Sequence, residues 1–211
     1  MHTPVSLFYK LRSILEEKKI IKNLEIGESI ASGDIIEFQA SLKRNPAIET
    51  LEILYQLLEM ANAFNKDTPQ NGSKTAQNKN MKSEMGGMSM QIKSLVDGLK
   101  AGNTIDLTAL QTGTNYKAVI TVETGFLNDP LMSDIVDGQF KIIGKVIRNV
   151  DDNESIDLLR KSALSKMPPA ILKQIFDALS SLGSTEGFVI PKLELEIRGP
   201  AVQVLPIAIY A

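Results

Sequence analysis

The sequence predicts an α+β fold in which a mixed or antiparallel sheet is covered by helices. Apolar residues recur at helical spacing near the N-terminus and again after Pro46. In several other segments they alternate with period two, as in strands with one buried face. The length of 211 residues suits a single domain, and an apolar fraction of 43% can fill its core.

The first part of the chain predicts a helix, a strand and a second helix. Residues 5–21 form an amphipathic helix, and residues 34–43 alternate as a strand does. Asn45 and Pro46 suit the N-cap and the first position of a helix over 47–64. The apolar stripe of the first helix consists of Leu7, Phe8, Leu11, Ile14 and Leu15.

The second part of the chain predicts further helices and strands. Helices are expected over 88–102, 155–167 and 170–183, and strands over 115–124 and 137–150. The end of the chain, 186–211, predicts two or three more strands. Pro206 places the last strand at a sheet edge or a bulge, because proline cannot donate a ladder hydrogen bond. We expect this apolar strand to complete the internal sheet.

Residues 65–87 interrupt this pattern, and we predict that they are a disordered insertion in a single domain over 1–211. The segment is rich in Asn, Lys, Gln, Ser and Gly, and it has almost no branched or aromatic side chains. Ordering each residue costs roughly 1–2 kcal/mol of backbone entropy, which so few apolar groups cannot offset.

Two segments of the chain resemble each other at an offset of 105 residues. Residues 30–60 and 135–165 each contain a glycine, a predicted strand and a predicted acidic helix start. A duplicated β-α unit would explain the likeness and would predict a cleft between the copies. The alternative is that any two strand-to-helix units share these features for packing reasons.

The sequence contains few residues or motifs that could act in catalysis, so we predict no catalytic site and no cofactor. It contains no cysteine, which excludes disulfides, thiolate nucleophiles and zinc–sulfur sites. Its one histidine, His2, stands beside the N-terminus, where we expect too little surrounding structure to hold a catalytic base. Glycine-rich phosphate loops and the G-x-S-x-G motif are also missing.

Carboxylates form the main alternative, a magnesium-dependent enzyme acting on a phosphorylated substrate. Asp129, Asp134 and Asp137 lie close together after Glu123, and such oxygen ligands suit Mg²⁺. Their spacing matches no defined motif, and ordinary turn chemistry also explains them. The acidic run 151–154 is expected to cap the next predicted helix rather than to bind calcium.

Two other groups of residues could form sites. Lysines of the insertion provide a second alternative, weak nucleic-acid binding; they are Lys66, Lys74, Lys79 and Lys82. Aromatic side chains for base stacking are missing there, so a solvated linker is the competing interpretation. Ser162, Ser165 and Lys166 could form a Ser–Lys pair, but such pairs on an exposed helix are usually solvated, which is the interpretation that we favour.

Charge and hydropathy bound the location and the partners. The chain has 23 basic and 25 acidic residues, a balance that argues against nucleic acid as the main partner. No apolar stretch reaches the roughly 20 residues of a membrane span. The N-terminus lacks the pattern of a secretory signal. We therefore expect a cytoplasmic protein, bacterial in origin, with no membrane partner.

Three segments of the chain resemble an uncharacterised bacterial family, one of the domains of unknown function. They are DGQFKIIGKVIRNV, ESIDLLRKSALSKM and GPAVQVLPIAIYA, and the last is the most specific. The resemblance implies no activity, cofactor or site residue. The function that we predict is therefore a non-catalytic binding or protein-interaction module. Its partner, a protein or a small molecule, stays open, and so does homo-oligomerisation.

Overall fold

A computed structural model describes most of the chain and confirms the α+β class. The described residues are 3–24, 29–67, 76–100, 103–127, 138–166, 168, 170, 177 and 194–211. The predicted helix over 170–183 and much of the segment 186–195 fall largely outside them.

The described residues contain three α-helices and eight strands, with short 3₁₀ turns at Thr124–Phe126 and Ala163–Lys166. In chain order the elements are α1 (Pro4–Glu17), β1 (Ile21–Asn23), β2 (Ile35–Arg44), α2 (Pro46–Asp67), α3 (Ala76–Leu99), β3 (Thr104–Gln111), β4 (Lys117–Glu123), β5 (Gln139–Val150), β6 (Ser155–Asp157), β7 (Glu196–Arg198) and β8 (Ala201–Tyr210).

Residue contacts divide the chain into two compact units. The first, the sheet unit, consists of residues 1–45, 103–157 and 196–211. The second, the helical unit, consists of residues 46–102 and 158–195. The chain therefore leaves the sheet unit twice, once after β2 and once after β6. That both units form one interrupted domain stays a prediction.

Five strands of the sheet unit close on themselves. Neighbours pair in the order β2, β3, β4, β8 and β5, and β5 pairs again with β2. The pair β4–β8 is parallel and the other pairs in the ring are antiparallel. The run β5-β2-β3-β4 is a Greek key, and β8 closes the gap between its ends. A five-stranded Greek-key barrel is the architecture of the OB-fold.

The interior of this closed sheet is filled by alternate residues of its strands. In β2 the inward positions are Ile36, Phe38, Ala40 and Leu42, all buried. Each strand in the ring contributes in the same way, because its side chains point alternately in and out. The remaining interior residues include Leu107, Ala109, Ala118, Ile120, Val122, Ile142, Val146, Val202 and Val204.

The last strand lies inside the sheet, as the sequence predicts. β8 pairs with β4 on one side and with β5 on the other. The predicted irregularity at Pro206 is confirmed, because a bulge falls where Pro206 lies opposite Gly144. At Gly144 a Cβ would stand 2.5 Å from Val204 Cγ1 and 2.7 Å from the carbonyl oxygen of Leu205. Only glycine allows β8 to approach β5 this closely.

The helix predicted over 155–167 is wrong, and the second copy of the proposed β-α repeat therefore has no helix. The backbone N–H of Glu154 closes a turn on Asp151, and Ser155–Asp157 then pair with Glu196–Arg198 as β6 and β7. Pairing between segments distant in sequence overrides the weak helical pattern. The two predicted strands of the repeat are β2 and β5, which are antiparallel neighbours.

The helical unit contains a hairpin of α2 and α3. Ser89 donates a hydrogen bond to Glu59, and Lys100 forms an ion pair with Glu52, so the two helices are antiparallel. Their buried stripes consist of Leu51, Leu54, Leu58, Ile92, Val96 and Leu99.

Much of the segment predicted to be disordered is helical in the structure. Residues 65–67 end α2 and residues 76–87 begin α3, while 68–75 lie outside the described residues. The composition is compatible with a helix, because seven of the twelve residues 76–87 are Ala, Gln, Lys, Met or Glu and none is proline or β-branched. These side chains favour helix even where they bury little apolar surface.

Candidate functional site

A polar clasp formed by Arg12, Glu37 and Tyr210 fixes α1 on the outer face of the closed sheet. The guanidinium of Arg12 donates to both oxygens of Glu37, from Nε at 2.8 Å and from Nη2 at 2.9 Å. Arg12 Nε also lies 3.1 Å from the hydroxyl of Tyr210, which in turn donates to Glu37. The clasp therefore joins α1 and β2, near the start of the chain, to β8 at its end.

Aromatic packing extends the clasp along one face of α1. The ring of Phe8 meets the ring of Tyr210 edge-on, with centroids 5.1 Å apart. Phe8, Arg12 and Leu15 are less exposed than their helix neighbours, and their spacing puts them on one face. This face of α1 therefore lies against the sheet.

The clasp holds Glu37 ionised and Tyr210 protonated. The bidentate hydrogen bond from Arg12 lowers the pKa of Glu37 below its ordinary value, although burial opposes this. Burial and the hydrogen bond to Glu37 raise the pKa of Tyr210 to about 12. The clasp's stabilisation is thus lost as pH falls through the lowered pKa of Glu37. At the alkaline end it is lost as pH rises from the ordinary tyrosine value of about 10 through the raised value of about 12.

A second face of α1 carries an exposed apolar seam formed by Leu7, Leu11 and Ile14. These residues follow the i, i+4, i+7 spacing of a single helix face and are 40–52% exposed. Among the described residues, thirteen large apolar side chains are exposed, and five of these belong to α1. Scattered exposed leucines are ordinary, but such a concentration on one element marks an interaction surface.

The seam faces the outer surface of β5 and β8. Consider the sheet viewed from outside, with β2 running upward. An inward-facing L-residue of such a strand points its backbone N–H to the left, and the N–H of inward-facing Leu42 bonds the carbonyl of Gly138, just before β5. β5 therefore lies to the left of β2. α1 starts beside Tyr210 on β8 and ends before β1, which pairs with the lower part of β2. α1 therefore runs from the upper left to the lower right. Each seam residue comes one position before a residue that faces the sheet, which in a right-handed helix turns the seam toward the lower left, over β5 and β8.

Exposed apolar side chains also occur on that part of the sheet. Ile147, Leu205 and Ile207 are 44–50% exposed there, and both Ile147 and Ile207 fall at irregularities of the β5–β8 ladder. We call the surface between the seam and these three residues the apolar groove, with the seam as its wall and the three residues as its floor. All six residues belong to the sheet unit.

The outer face of β3 and β4 has a different character. OB-folds use the face of their second and third strands to bind oligonucleotides and oligosaccharides, and β3 and β4 occupy that place here. In this chain, however, the outward Val119 is fully buried, and Asp106 is also buried and accepts a hydrogen bond from Thr121 at 2.7 Å. The groove beside α1 is the more accessible apolar surface.

Of the acidic residues proposed to bind magnesium, only Glu123 is described. It is exposed at the end of β4, whereas Asp129, Asp134 and Asp137 lie outside the described residues. Within the described ranges, no cluster of three or more histidine or carboxylate side chains could hold a metal ion. The magnesium site therefore stays a prediction.

The lysines proposed for nucleic-acid binding are described only in part. Lys66 lies in α2, and Lys79 and Lys82 lie in α3, but their side chains are outside the described part of the structure. Lys74 and His2 fall outside it altogether. Nucleic-acid binding through this segment also stays a prediction.

Two other predicted features have structural explanations. Ser162 donates its hydroxyl to the carbonyl of Leu159, and Ser165 donates to the carbonyl of Ser162, so both hydroxyls close local turns. Lys166 is exposed beside them. The expected capping role of residues 151–154 is wrong, because these residues form a turn and are followed by β6 rather than by a helix.

Comparison with known proteins identifies a family. A family model described as a domain of unknown function (DUF6414) matches residues 1–210. The chain belongs to this family. The match confirms the resemblance to a domain of unknown function, and it covers both units. No curated protein and no solved structure matches the chain. Within the described ranges, no helix is long and apolar enough to cross a lipid bilayer.

Proposed function

We propose that the chain is a non-catalytic protein-interaction module and that its binding surface is the apolar groove. The observation that carries this proposal is the pairing of an exposed seam on α1 with exposed apolar residues on the sheet beside it. Most of the inward apolar residues of the sheet unit are, by contrast, buried to within a few per cent. An apolar surface left open beside so complete a core is typical of a binding site.

Energetics support binding at this surface. Fully burying a leucine or isoleucine side chain stabilises by about 1.5–3 kcal/mol, and the groove offers six partly exposed ones. The clasp already orders α1, so little conformational entropy is lost when a partner binds. Closed Greek-key sheets are also common binding scaffolds, although this is an argument by analogy with the fold.

We further propose that the module works in the cytoplasm. A chain without cysteine needs no oxidising compartment to fold, which supports this location.

Photo-crosslinking from single positions in the intact chain tests the proposed surface. A crosslinking amino acid is placed at Leu11 on the seam or at Leu205 on the floor, and the matched control is Leu110 on β3, which is as exposed as Leu205. We expect one adduct of the same mass from Leu11 and Leu205 in cells expressing the protein, and none from Leu110. Leu7→Ser, which removes apolar surface from the seam, should abolish the adduct.

Adducts that form equally from all three positions would contradict the proposal, and so would their absence from Leu11 and Leu205. The mass of the adduct also separates a second copy of this chain from a different protein.

A further inference from the structure

We infer that the occupant of the apolar groove is an amphipathic helix with acidic residues flanking its apolar face, supplied by another protein. This inference rests on the proposed function and names the chemistry of the partner. Three features of the groove support it: its shape, the pairing of its strands and the charges around it.

The shape of the groove fits a helix. One wall is itself a helix whose apolar residues recur at i, i+4 and i+7, the pattern by which helices pack against each other. A partner helix lying beside α1, at the usual interaxial distance of roughly 8–10 Å, would contact the seam with one flank. Its underside would rest on Leu205 and Ile207.

Strand pairing argues against an extended peptide. β5 is paired with β2 and β8, and β8 is paired with β4 and β5. β5 therefore offers no free backbone edge for an added strand, and β8 lacks a second paired strand only beyond Val204, on the side away from β5. A partner that lies on the floor itself, between α1 and β8, binds through side chains, as a helix does.

The charges around the groove select an acidic partner. Lys141, Lys145 and Arg148 are exposed on β5, and Lys18 follows the C-terminal end of α1 on the seam side. β5 and β8 together contain no carboxylate. Arg148 approaches Glu154 only at 3.8 Å. The basic side chains that predominate on the outer face of β5 would attract acidic side chains and repel basic ones.

A second copy of the chain fits this groove poorly. If α1 of a second copy lay in the groove, its own clasp would hold its own sheet directly beneath it, where the sheet of the first copy already lies. The two sheets would then overlap in space. The exposed residues of α1 beside its seam also include both Lys10 and Glu17, so α1 does not present an acidic surface.

Two synthetic helical peptides test the inference directly. Both are stapled, have about 20 residues and carry the same leucine stripe; one has glutamates beside the stripe and the other has lysines. We expect the acidic peptide to bind the intact chain at least tenfold more tightly at low salt, measured by fluorescence anisotropy. Lys145→Glu combined with Lys18→Glu should reverse this preference.

The control is Lys117→Glu, which changes an exposed lysine on β4 and should leave the preference unchanged. Equal affinity for the two peptides, preference for the basic one, or binding of neither would overturn the inference. Crosslinking from Leu11 and Leu205 would still succeed in those cases if the groove binds a partner of other chemistry, so the two proposals fail separately.

Discussion

Replacing Gly144 by alanine is expected to destabilise the protein by about 3 kcal/mol or more. The new Cβ would lie 2.5 Å from Val204 Cγ1, 2.7 Å from the carbonyl oxygen of Leu205 and 3.0 Å from Pro206 Cα. Two of these three atoms belong to the backbone of β8. That backbone is paired with β5, and β8 is paired with β4 as well up to Val204, so it cannot move away without disturbing ladder hydrogen bonds.

Chemical unfolding followed by far-UV circular dichroism measures this loss. The matched control is Gly98→Ala in α3, where a Cβ would meet no atom within 4 Å. There alanine should be neutral or should stabilise by up to about 1 kcal/mol, because it favours helix. A Gly144→Ala variant as stable as the wild type would show that β8 does not approach β5 as described.

Ile143→Ala is expected to cost about 3 kcal/mol, although the side chain lies outside the interior of the closed sheet. Its neighbour Ile142 points inward, so Ile143 points outward, yet it is only 1% exposed. In the ladder Ile143 lies opposite Glu37, which Arg12 binds. This position places Ile143 beneath α1, and truncation would leave a cavity there.

Ile147→Ala is the matched control, with the same residue type in the same strand but 44% exposed on the floor of the groove. Its cost should stay below about 1 kcal/mol, because a truncation there leaves no cavity. Similar losses for the two variants, measured by the same unfolding experiment, would mean that α1 does not cover β5.

Local sequence patterns predicted many of the elements. The strands β2, β4 and β5 and the helix α2 all have long stretches with one clear period, and their predictions are confirmed. Pro206 also carried its own signal, since proline in a strand requires a bulge or an edge. These features depend on residues that are close in sequence.

Features that depend on distant residues could not be predicted in this way. β6 exists because Ser155–Asp157 pair with a strand some 40 residues further along. The 12-residue β5 gave no sign of which strands it would join. The helix at 76–87 differs from the prediction for another reason: a polar composition predicts disorder, yet most of these residues favour helix.

The candidate site was predicted only in part. The apolar stripe of α1 was visible in the sequence, but the stripe contained both the docked Phe8 and the exposed Leu11. Which side of α1 faces the sheet becomes clear only from the contacts of Arg12 with Glu37 and Tyr210. Tyr210 is 198 residues away from Arg12 in the sequence. Neither Glu37 nor Tyr210 belongs to a recognisable motif, since each simply occupies an outward position of a strand.

The central claim is that a partner helix occupies the groove between α1 and the β5–β8 surface. Because the chain contains no tryptophan, a single one introduced at Leu205 would report directly on the floor of the groove. Leu110→Trp is the control, since Leu110 and Leu205 are 49% and 50% exposed. The measurement is acrylamide quenching of each variant before and after addition of the acidic helical peptide. We expect the peptide to protect the tryptophan at position 205 and to leave the one at position 110 open. Unchanged quenching at position 205, or equal protection at both positions, would contradict the account.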